Sequence, residues 1–323
     1  MLAKRRHIAG IPGSRTPMLL PALSSKSGVP GPGPQDTTHR FSEIMSGATL
    51  ISAYDVSYGL VETLEFPELL FLDSGGYEAL KDVQALKEGD RRGVDNHPWD
   101  QHAYRKVLED FPIHQPVVAV SFDHPDHQLP LEAQLDRADS LYPERKGLVR
   151  EFLIKPEPDT AFIDLDVIQA QLSRIAGYPI IGVTDKELGD SLMDKMQKVA
   201  RLRRLLDDLE SEVPIHVFGS LDPLTAPLYF ISGADIFDGL AWLKYAFDSG
   251  RAIYPQNFDA IQIAARKSTR VNLARMWSEN YWYLTKLEDQ MKRFLKDGDF
   301  SVFLYNAELL KQAWESLEES LEV

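Results

Sequence analysis

Three aspartates in this 323-residue sequence occupy equivalent points of the chain, each directly after a short apolar run. They are Asp73 after LLFL, Asp123 after VVAVSF and Asp238 after ADIF. Carboxyl groups can act as nucleophiles or as general acids and bases, and either role requires a protected site. A single aspartate at a strand end more often caps the next helix, but three at the same position predict a shared site.

The stretch from 215 to 242 indicates how Asp238 is held. Apolar residues at 215–218 and 234–237 predict two short strands. The segment between them opens with Asp-Pro and ends at a glycine, which is typical of a helix. Asp238 therefore leaves the carboxyl end of the second strand, and the glycine after it lets backbone or ligand approach closely.

Strands and helices alternate along most of the chain. Strand-like runs occur at 16–23, 49–56, 69–72, 117–122, 150–154, 179–183, 215–218 and 234–237. This alternation predicts an α/β fold, a (β/α)8 TIM-type barrel, in which residues beyond the carboxyl ends of the strands converge on one face. Strand signals stop near residue 255, so we predict a barrel domain at 1–255 and a C-terminal helical region at 256–323.

The composition is that of a globular protein. Hydrophobic residues make up 44% of the chain and charged residues 26%, and no apolar run approaches the roughly 20 residues that cross a membrane. The sequence has no cysteine, which excludes disulfides and thiolate metal ligands and leads us to expect a cytoplasmic protein. The net charge of −14 argues against a surface covered in phosphate contacts, but it leaves room for a local basic track.

Five motifs resemble those of a known family. They are TPMLLP at 16–21, DSGGY at 73–77, SFD at 121–123, HVFG at 216–219 and GADIFD at 233–238. Their order, over most of residues 15–300, is similar to that in the tRNA-guanine transglycosylases and their DNA-modifying relatives, which exchange guanine for a 7-deazaguanine base. The resemblance implies a pentosyltransferase acting on a nucleic acid, with tRNA as the family default and DNA as a close second.

The resemblance also implies roles for the three aspartates. Asp238 would be the nucleophile that bonds covalently to the sugar while one base leaves and another arrives. Asp73 would give and take the proton of the exchanged bases, and Asp123 would accept hydrogen bonds from the N–H edge of the purine. The other implied base contacts are Ser74, Gly75, Tyr77, Gly182, Thr184 and Gly219. For Gly182 and Gly219, turn geometry is the alternative explanation.

Basic residues after Asp238 are the expected contacts to the nucleic-acid backbone. They are Lys244, Arg251, Arg266, Lys267 and Arg270. A solvated charged face is the alternative explanation for them. The expected partners are tRNA or DNA and the free 7-deazaguanine base, and a homodimer or a heteromeric partner stays open.

The family's structural zinc is expected to be absent here. In the family, three cysteines and a histidine hold zinc in the C-terminal part, but this sequence has no cysteine, and Glu279 stands where the histidine-containing stretch aligns. We therefore expect neither zinc nor another cofactor. Because the zinc subdomain often supports dimerisation in the family, the oligomeric state is left open.

Two other interpretations of the sequence stay open. A metal-dependent barrel hydrolase would use the cluster DHPDH at 123–127, although His216, at the start of its strand, is not expected to join it. A non-catalytic partner subunit would bind without reacting, although the three aspartates argue against it. The Gly- and Pro-rich loop at 24–34 is either a surface excursion or a lid over the site.

Overall fold

The computed structural model describes residues 1–25, 44–61, 64–79, 97–123, 128–261 and 269–322, with the backbone alone at 269 and 270. Within these residues eight parallel strands close into a barrel, with β8 paired to β1. The strands are β1 (Met18–Leu23), β2 (Ala48–Ser52), β3 (Leu69–Asp73), β4 (Val117–Val120), β5 (Leu148–Leu153), β6 (Ile180–Thr184), β7 (Ile215–Phe218) and β8 (Ile236–Gly239). The predicted (β/α)8 barrel is confirmed.

Helices follow the strands and cover the outside of the barrel. They are α1 (Ala53–Ser57), α2 (Gly76–Ala79), α3 (Gln101–Asp110), α4 (Leu131–Leu141), α5 (Leu165–Ala170), α6 (Leu172–Ile175), α7 (Leu192–Asp208) and α8 (Thr225–Ile231). The strand predicted at 49–56 is wrong beyond Ser52, because the chain turns there into α1. Tyr54 in that helix is fully buried and packs edge-on against Trp99, which favours the turn inward.

The barrel is followed by α9 (Ala241–Lys244) and an antiparallel hairpin of β9 (Ala246–Asp248) and β10 (Arg251–Ile253). The region after it is helical, as predicted, with α10 (Pro255–Ile261), α11 (Thr269–Asp297) and α12 (Ala307–Glu322). The long helix α11 lies against β1 and β9, and the indole of its Trp277 donates to the carbonyl of Leu243 in α9 at 2.9 Å. The domain boundary at residue 255 stays a prediction. In the part of the chain that the structure describes, no helix is long and apolar enough to span a membrane.

Alternate residues along each strand point into the barrel, because successive side chains of a strand alternate between its faces. Apolar side chains fill most of this interior, among them Leu20, Phe71, Val118, Val149, Ile180 and Ile236, together with Ile8 and Ile11 of the N-terminal segment. The same alternation turns two charged side chains inward, Glu151 of β5 and His216 of β7, and both are fully buried.

Asp235, one residue before β8, is the centre of a buried ion cluster. Its carboxylate lies 3.0 Å from Nη1 of Arg6 and 2.9 Å from Nη2 of Arg203, and both guanidinium side chains are fully buried. It also accepts hydrogen bonds from the backbone N–H of Ile215 and the hydroxyl of Thr16. The first aspartate of GADIFD therefore joins the N-terminal segment, α7 and β7, while the second faces the site.

Replacing Asp235 by alanine should lower the free energy of unfolding by about 3–5 kcal/mol, because it leaves two buried guanidinium groups without their shared partner. Denaturant unfolding of the variant measures this loss. A matched control is Asp136→Ala, which removes an exposed partner of Arg174 and should cost less than about 1 kcal/mol. Equal losses in the two variants would contradict this account of the cluster.

Candidate active site

A cavity of about 720 Å³ opens at the carboxyl ends of the barrel strands, a size that suits a small-molecule site. Asp73, Asp123 and Asp238 all line it, as expected for residues that follow parallel strands. Of the other residues predicted to contact the base or the nucleic-acid backbone, four also line the cavity: Tyr77, Thr184, Gly219 and Lys244. The structure therefore brings the three aspartates together on one face.

Several of the residues singled out in the sequence are placed differently. Ser74, Gly75 and Gly182 are buried behind the cavity wall and do not line it. Arg251 is exposed on β10, away from the lining. Arg266, Lys267 and the side chain of Arg270 lie outside the described residues, as do 124–127 and most of the loop at 24–34.

The DSGG turn after β3 shows why two glycines follow Ser74. A side chain at Gly75, whose φ is +88°, would come within 2.7 Å of Tyr54 Cβ, and one at Gly76 would come within 2.7 Å of the carbonyl oxygen of Asp123. The Ser74 hydroxyl donates to Asp123 Oδ1 at 2.6 Å. Ser74 and Gly75 therefore shape the turn that joins Asp73 to Asp123, and their contact with a base stays a prediction.

Asp73 lies in an acidic environment. Burial, and then the negative charges of Asp123 and Glu78, raise the pKa of Asp73 well above its ordinary value, against the backbone N–H of Gly75, which donates to its Oδ2 at 3.2 Å. The charge of Asp238 adds to the rise. Asp73 is thereby held in its acid form at higher pH than an ordinary carboxyl group, which suits a general acid.

Asp123 is paired with a lysine that the sequence analysis did not single out. Lys155 Nζ lies 3.4 Å from Asp123 Oδ2 and 2.8 Å from Glu187 Oε1, and the Thr184 hydroxyl donates to the other oxygen of Glu187. Burial lowers the pKa of Lys155, but Asp123 and Glu187 outweigh it and raise the pKa overall. This wall of the cavity therefore carries alternating charges. Lys155 follows β5 as the aspartates follow their strands, so the same positional rule identifies it.

Asp238 is held by His216 of β7 and by Gly219, the residue directly after that strand. Its Oδ1 accepts a hydrogen bond from the backbone N–H of Gly219 at 3.0 Å, and His216 Nε2 lies 3.3 Å from the same oxygen. Gly219 has φ of +78° with open space where a side chain would be, so glycine is needed there for backbone conformation. This glycine both lines the cavity and orients Asp238.

His216 lies between Asp238 and the buried carboxyl group of Glu151. Its Nδ1 lies 2.8 Å from Glu151 Oε1. Burial alone would lower the pKa of His216, but Glu151 and Asp238 outweigh burial and raise it to about 9. From the sequence, His216 is considered only as a possible metal ligand, whereas its inward position within β7 brings its ring up to Asp238. Glu151 and His216 both occupy inward positions of barrel strands, but that position is visible only once the strand register is known.

Gly182 makes room for this group. A side chain there would lie 2.7 Å from Phe218 Cε2 and 3.0 Å from Glu151 Oε1. The ring of Phe218 stacks on His216 with 3.9 Å between the ring centroids. Gly182 therefore clears space for the buried ion pair, and its contact with a base stays a prediction.

Possible metal ligands do not gather in the part of the chain that is described: no group of three or more His, Asp or Glu residues there is arranged to hold an ion. The DHPDH cluster of the hydrolase interpretation falls mainly on 124–127, outside that part.

Comparison with known proteins supports the fold more than a reaction. No family model matches the chain. A stretch of 79 residues is 37% identical to a ribulose-phosphate 3-epimerase of Rhodobacter capsulatus, which amounts to 24% of this chain and 34% of that protein. The chain thus spans about a third of the length of the curated relative it matches. The barrel fold and the partial similarity to an epimerase together support an enzyme with a barrel fold, without specifying its reaction. Neither comparison points to a transglycosylase.

Proposed function

We propose that this protein exchanges guanine for a 7-deazaguanine base in a nucleic acid, through a covalent glycosyl intermediate on Asp238. The observation that carries the proposal is the contrast between two carboxyl groups in one cavity. Asp73 is surrounded by acids that favour its neutral form, whereas Asp238 lies 3.3 Å from Nε2 of His216, a histidine whose pKa is raised to about 9. Such a pair supplies an acid and an anion at the same pH. The five family-like motifs supply the choice of base and polymer.

The proposed reaction has two matched halves. Asp238 attacks the anomeric carbon of the target nucleotide, and the electron pair of the breaking C–N bond goes to the departing guanine, which takes a proton from Asp73. The Asp73 carboxylate then removes a proton from the incoming base, whose nitrogen attacks the same carbon and releases Asp238. Each carboxyl group ends as it began, so the exchange needs no redox partner.

The base would lie against the charged wall of the cavity. There Asp123 accepts hydrogen bonds from a purine N–H edge, and Lys155 and Glu187 supply a donor and an acceptor beside it. Lys155 also neutralises part of the charge of Asp123, which makes an uncharged guanine-like base a better fit than a cation. Tyr77, 46% exposed, stands at the cavity wall where it can cover the base.

Replacing Asp123 by alanine should weaken discrimination among free bases roughly 10- to 100-fold and leave polymer affinity unchanged, since an unsatisfied buried partner costs about 1–3 kcal/mol and the phosphates are elsewhere. Competition between guanine, hypoxanthine and adenine for incorporation measures the first effect, and a binding isotherm measures the second. Asp136→Ala on the outer surface is the control. An unchanged preference among bases would refute the assignment.

The experiment that tests the function is incubation of the protein with labelled guanine and, separately, bulk tRNA and duplex DNA. Label should enter one polymer and be displaced by a free 7-deazaguanine base. The polymer that takes up label identifies the substrate. If neither polymer takes up label and no adduct forms in a single turnover, the protein is not a transglycosylase, and the non-catalytic partner subunit becomes the better interpretation.

The partial similarity to an epimerase favours a second reaction class, proton transfer at a carbon of a small sugar phosphate. Two carboxyl groups in one cavity can supply the base and the acid for such a step. The two classes separate cleanly in deuterated water. An epimerase puts deuterium into the sugar phosphate and makes no protein adduct, whereas base exchange places label in a polymer.

A further inference from the structure

Glu151, His216 and Asp238 form a line of charged side chains that runs from the barrel interior to the cavity. Nδ1 of the imidazole lies 2.8 Å from Glu151 Oε1, and Nε2 lies 3.3 Å from Asp238 Oδ1. The second contact is a charge pair rather than a hydrogen bond, since Nε2 has no partner of good hydrogen-bond geometry in the described part of the chain. Three different strands, β5, β7 and β8, supply the members.

Within the part of the chain that the structure describes, these two carboxyl groups are the charged groups that raise the pKa of the imidazole. Phe218 stacks on one side of the ring, Phe71 approaches edge-on with 5.6 Å between ring centroids, and Gly182 contributes no side chain. The charged groups that face His216 are Glu151 from β5 and Asp238 from β8. A buried carboxylate such as Glu151 is costly without a cation. Burial raises the pKa of Glu151, and the opposing charge of His216 lowers it only in part.

We propose that His216 is a positioning residue: Glu151 holds it as an imidazolium, and it fixes Asp238 as a carboxylate whose second oxygen is directed at the cavity. The proposal rests on the base-exchange function, in which Asp238 is the nucleophile. Oδ1 of Asp238 is held by the Gly219 N–H and by Nε2 of His216, so Oδ2 is the attacking oxygen.

The role of Glu151 follows from the charge balance of the reaction. When Asp238 becomes an ester it loses its negative charge, and an imidazolium with no other partner would then be a lone buried cation. Glu151 keeps that cation paired throughout. His216 therefore keeps its proton in both halves of the exchange, and the proton transfers stay with Asp73.

The charge of His216 can be measured directly by imidazole nitrogen NMR of the full-length protein, with the signal assigned through its loss in His216→Gln. Both ring nitrogens should be protonated near neutral pH and should titrate at about 9. Glu151→Gln and Asp238→Asn should each move that titration to lower pH, Glu151→Gln by more. His102→Gln, at an exposed position of α3, is the control and should leave the signal unchanged.

Thermal unfolding gives a second readout that requires no substrate. The pKa of His216 is raised from 6.5 to about 9, so its contribution to stability is present in full below about 6.5 and is lost as pH rises to about 9. The melting temperature of the wild type should fall over that window relative to His216→Gln. If this variant does not fold, the double variant Glu151→Gln with His216→Gln replaces the ion pair by a neutral pair and takes its place.

The kinetic arm distinguishes positioning from general structural support. Single-turnover adduct formation should fall by about 10²-fold in Glu151→Gln, as for a misdirected reacting group, with KM for the polymer unchanged. The wild-type rate should also fall as pH rises through about 9. If His216→Gln folds, its pH–rate profile should lack this fall. If His216→Gln is slower than the wild type but its rate still falls as pH rises through about 9, the positioning role is overturned.

The two proposals fail in different ways. A His216 that is neutral near neutral pH, in a protein that still exchanges bases, overturns the positioning role alone. A doubly protonated His216 that responds to Asp238→Asn, in a protein that forms no adduct with either polymer, overturns the base-exchange function while the charge assigned to His216 stands.

Discussion

Replacing Asp238 by asparagine should abolish base exchange and covalent adduct together, with a loss on the order of 10⁴-fold or more, as for other catalytic nucleophiles. The amide keeps the shape of the carboxyl group and can still accept from the Gly219 N–H, but it has no negative charge with which to attack the anomeric carbon. Reaction with the polymer, a denaturing quench and mass-spectrometric mapping locate the adduct in the wild type. Asp136→Asn, on the exposed face of α4, is the control.

The alternative outcomes of that experiment are equally specific. An adduct on a different residue would move the nucleophile elsewhere. Release of guanine at the wild-type rate by Asp238→Ala would remove covalent catalysis from the mechanism. Because polymer contacts lie elsewhere in the proposed site, both variants should still bind the polymer, and a loss of binding would indicate that the substitution has disturbed the fold.

The position of the three aspartates could be predicted because parallel strands share a direction. An apolar run followed by a carboxylate is a local pattern, and the barrel places every such residue on one face. Lys155 obeys the same rule and follows β5. The fold and the carboxylate-lined face could therefore be predicted from patterns within short segments of the sequence.

The partners inside the barrel could not be predicted in this way. Glu151 and His216 lie 65 positions apart, and they meet because the register between β5, β6 and β7 brings inward positions together across Gly182. Nothing local distinguishes a histidine within a short apolar strand from a core histidine. The glycine that accommodates them is equally ambiguous, since its purpose lies in the neighbouring strands rather than in a turn.

The acids around Asp73 impose an energetic cost that has a function. A carboxyl group with a raised pKa stabilises the fold fully below its ordinary value of 3.8 and less as pH rises through the raised value. Near neutral pH the like charges of Asp123 and Glu78 therefore act against stability. Such strain at a cavity is typical of catalytic sites. The same nearby acids keep Asp73 protonated, and so able to donate a proton, at a pH where an ordinary aspartate is ionised.

Replacing Asp73 by asparagine should lower turnover by about 10²- to 10⁴-fold, the usual contribution of a positioned general acid or base, while leaving polymer binding intact. The amide can still donate a hydrogen bond to the departing guanine, but it cannot give up a proton. Single-turnover release of labelled guanine and a polymer binding isotherm measure the two effects. The melting temperature near neutral pH should be at least that of the wild type, since one member of the acidic group is gone.

The pH dependence of Asp73→Asn separates proton transfer from simple placement. In the wild type the acid form of Asp73 is lost as pH rises through its raised pKa, so guanine release should slow over that range. Asparagine does not titrate there, and the residual rate of the variant should be flat across it, apart from the separate limb at about 9 assigned to His216. If Asp73→Asn releases guanine at the wild-type rate, Asp73 is not the general acid. A slow variant whose rate still falls over the range assigned to Asp73 would assign that titration to a neighbour, with Glu78 and Asp123 the groups to replace next.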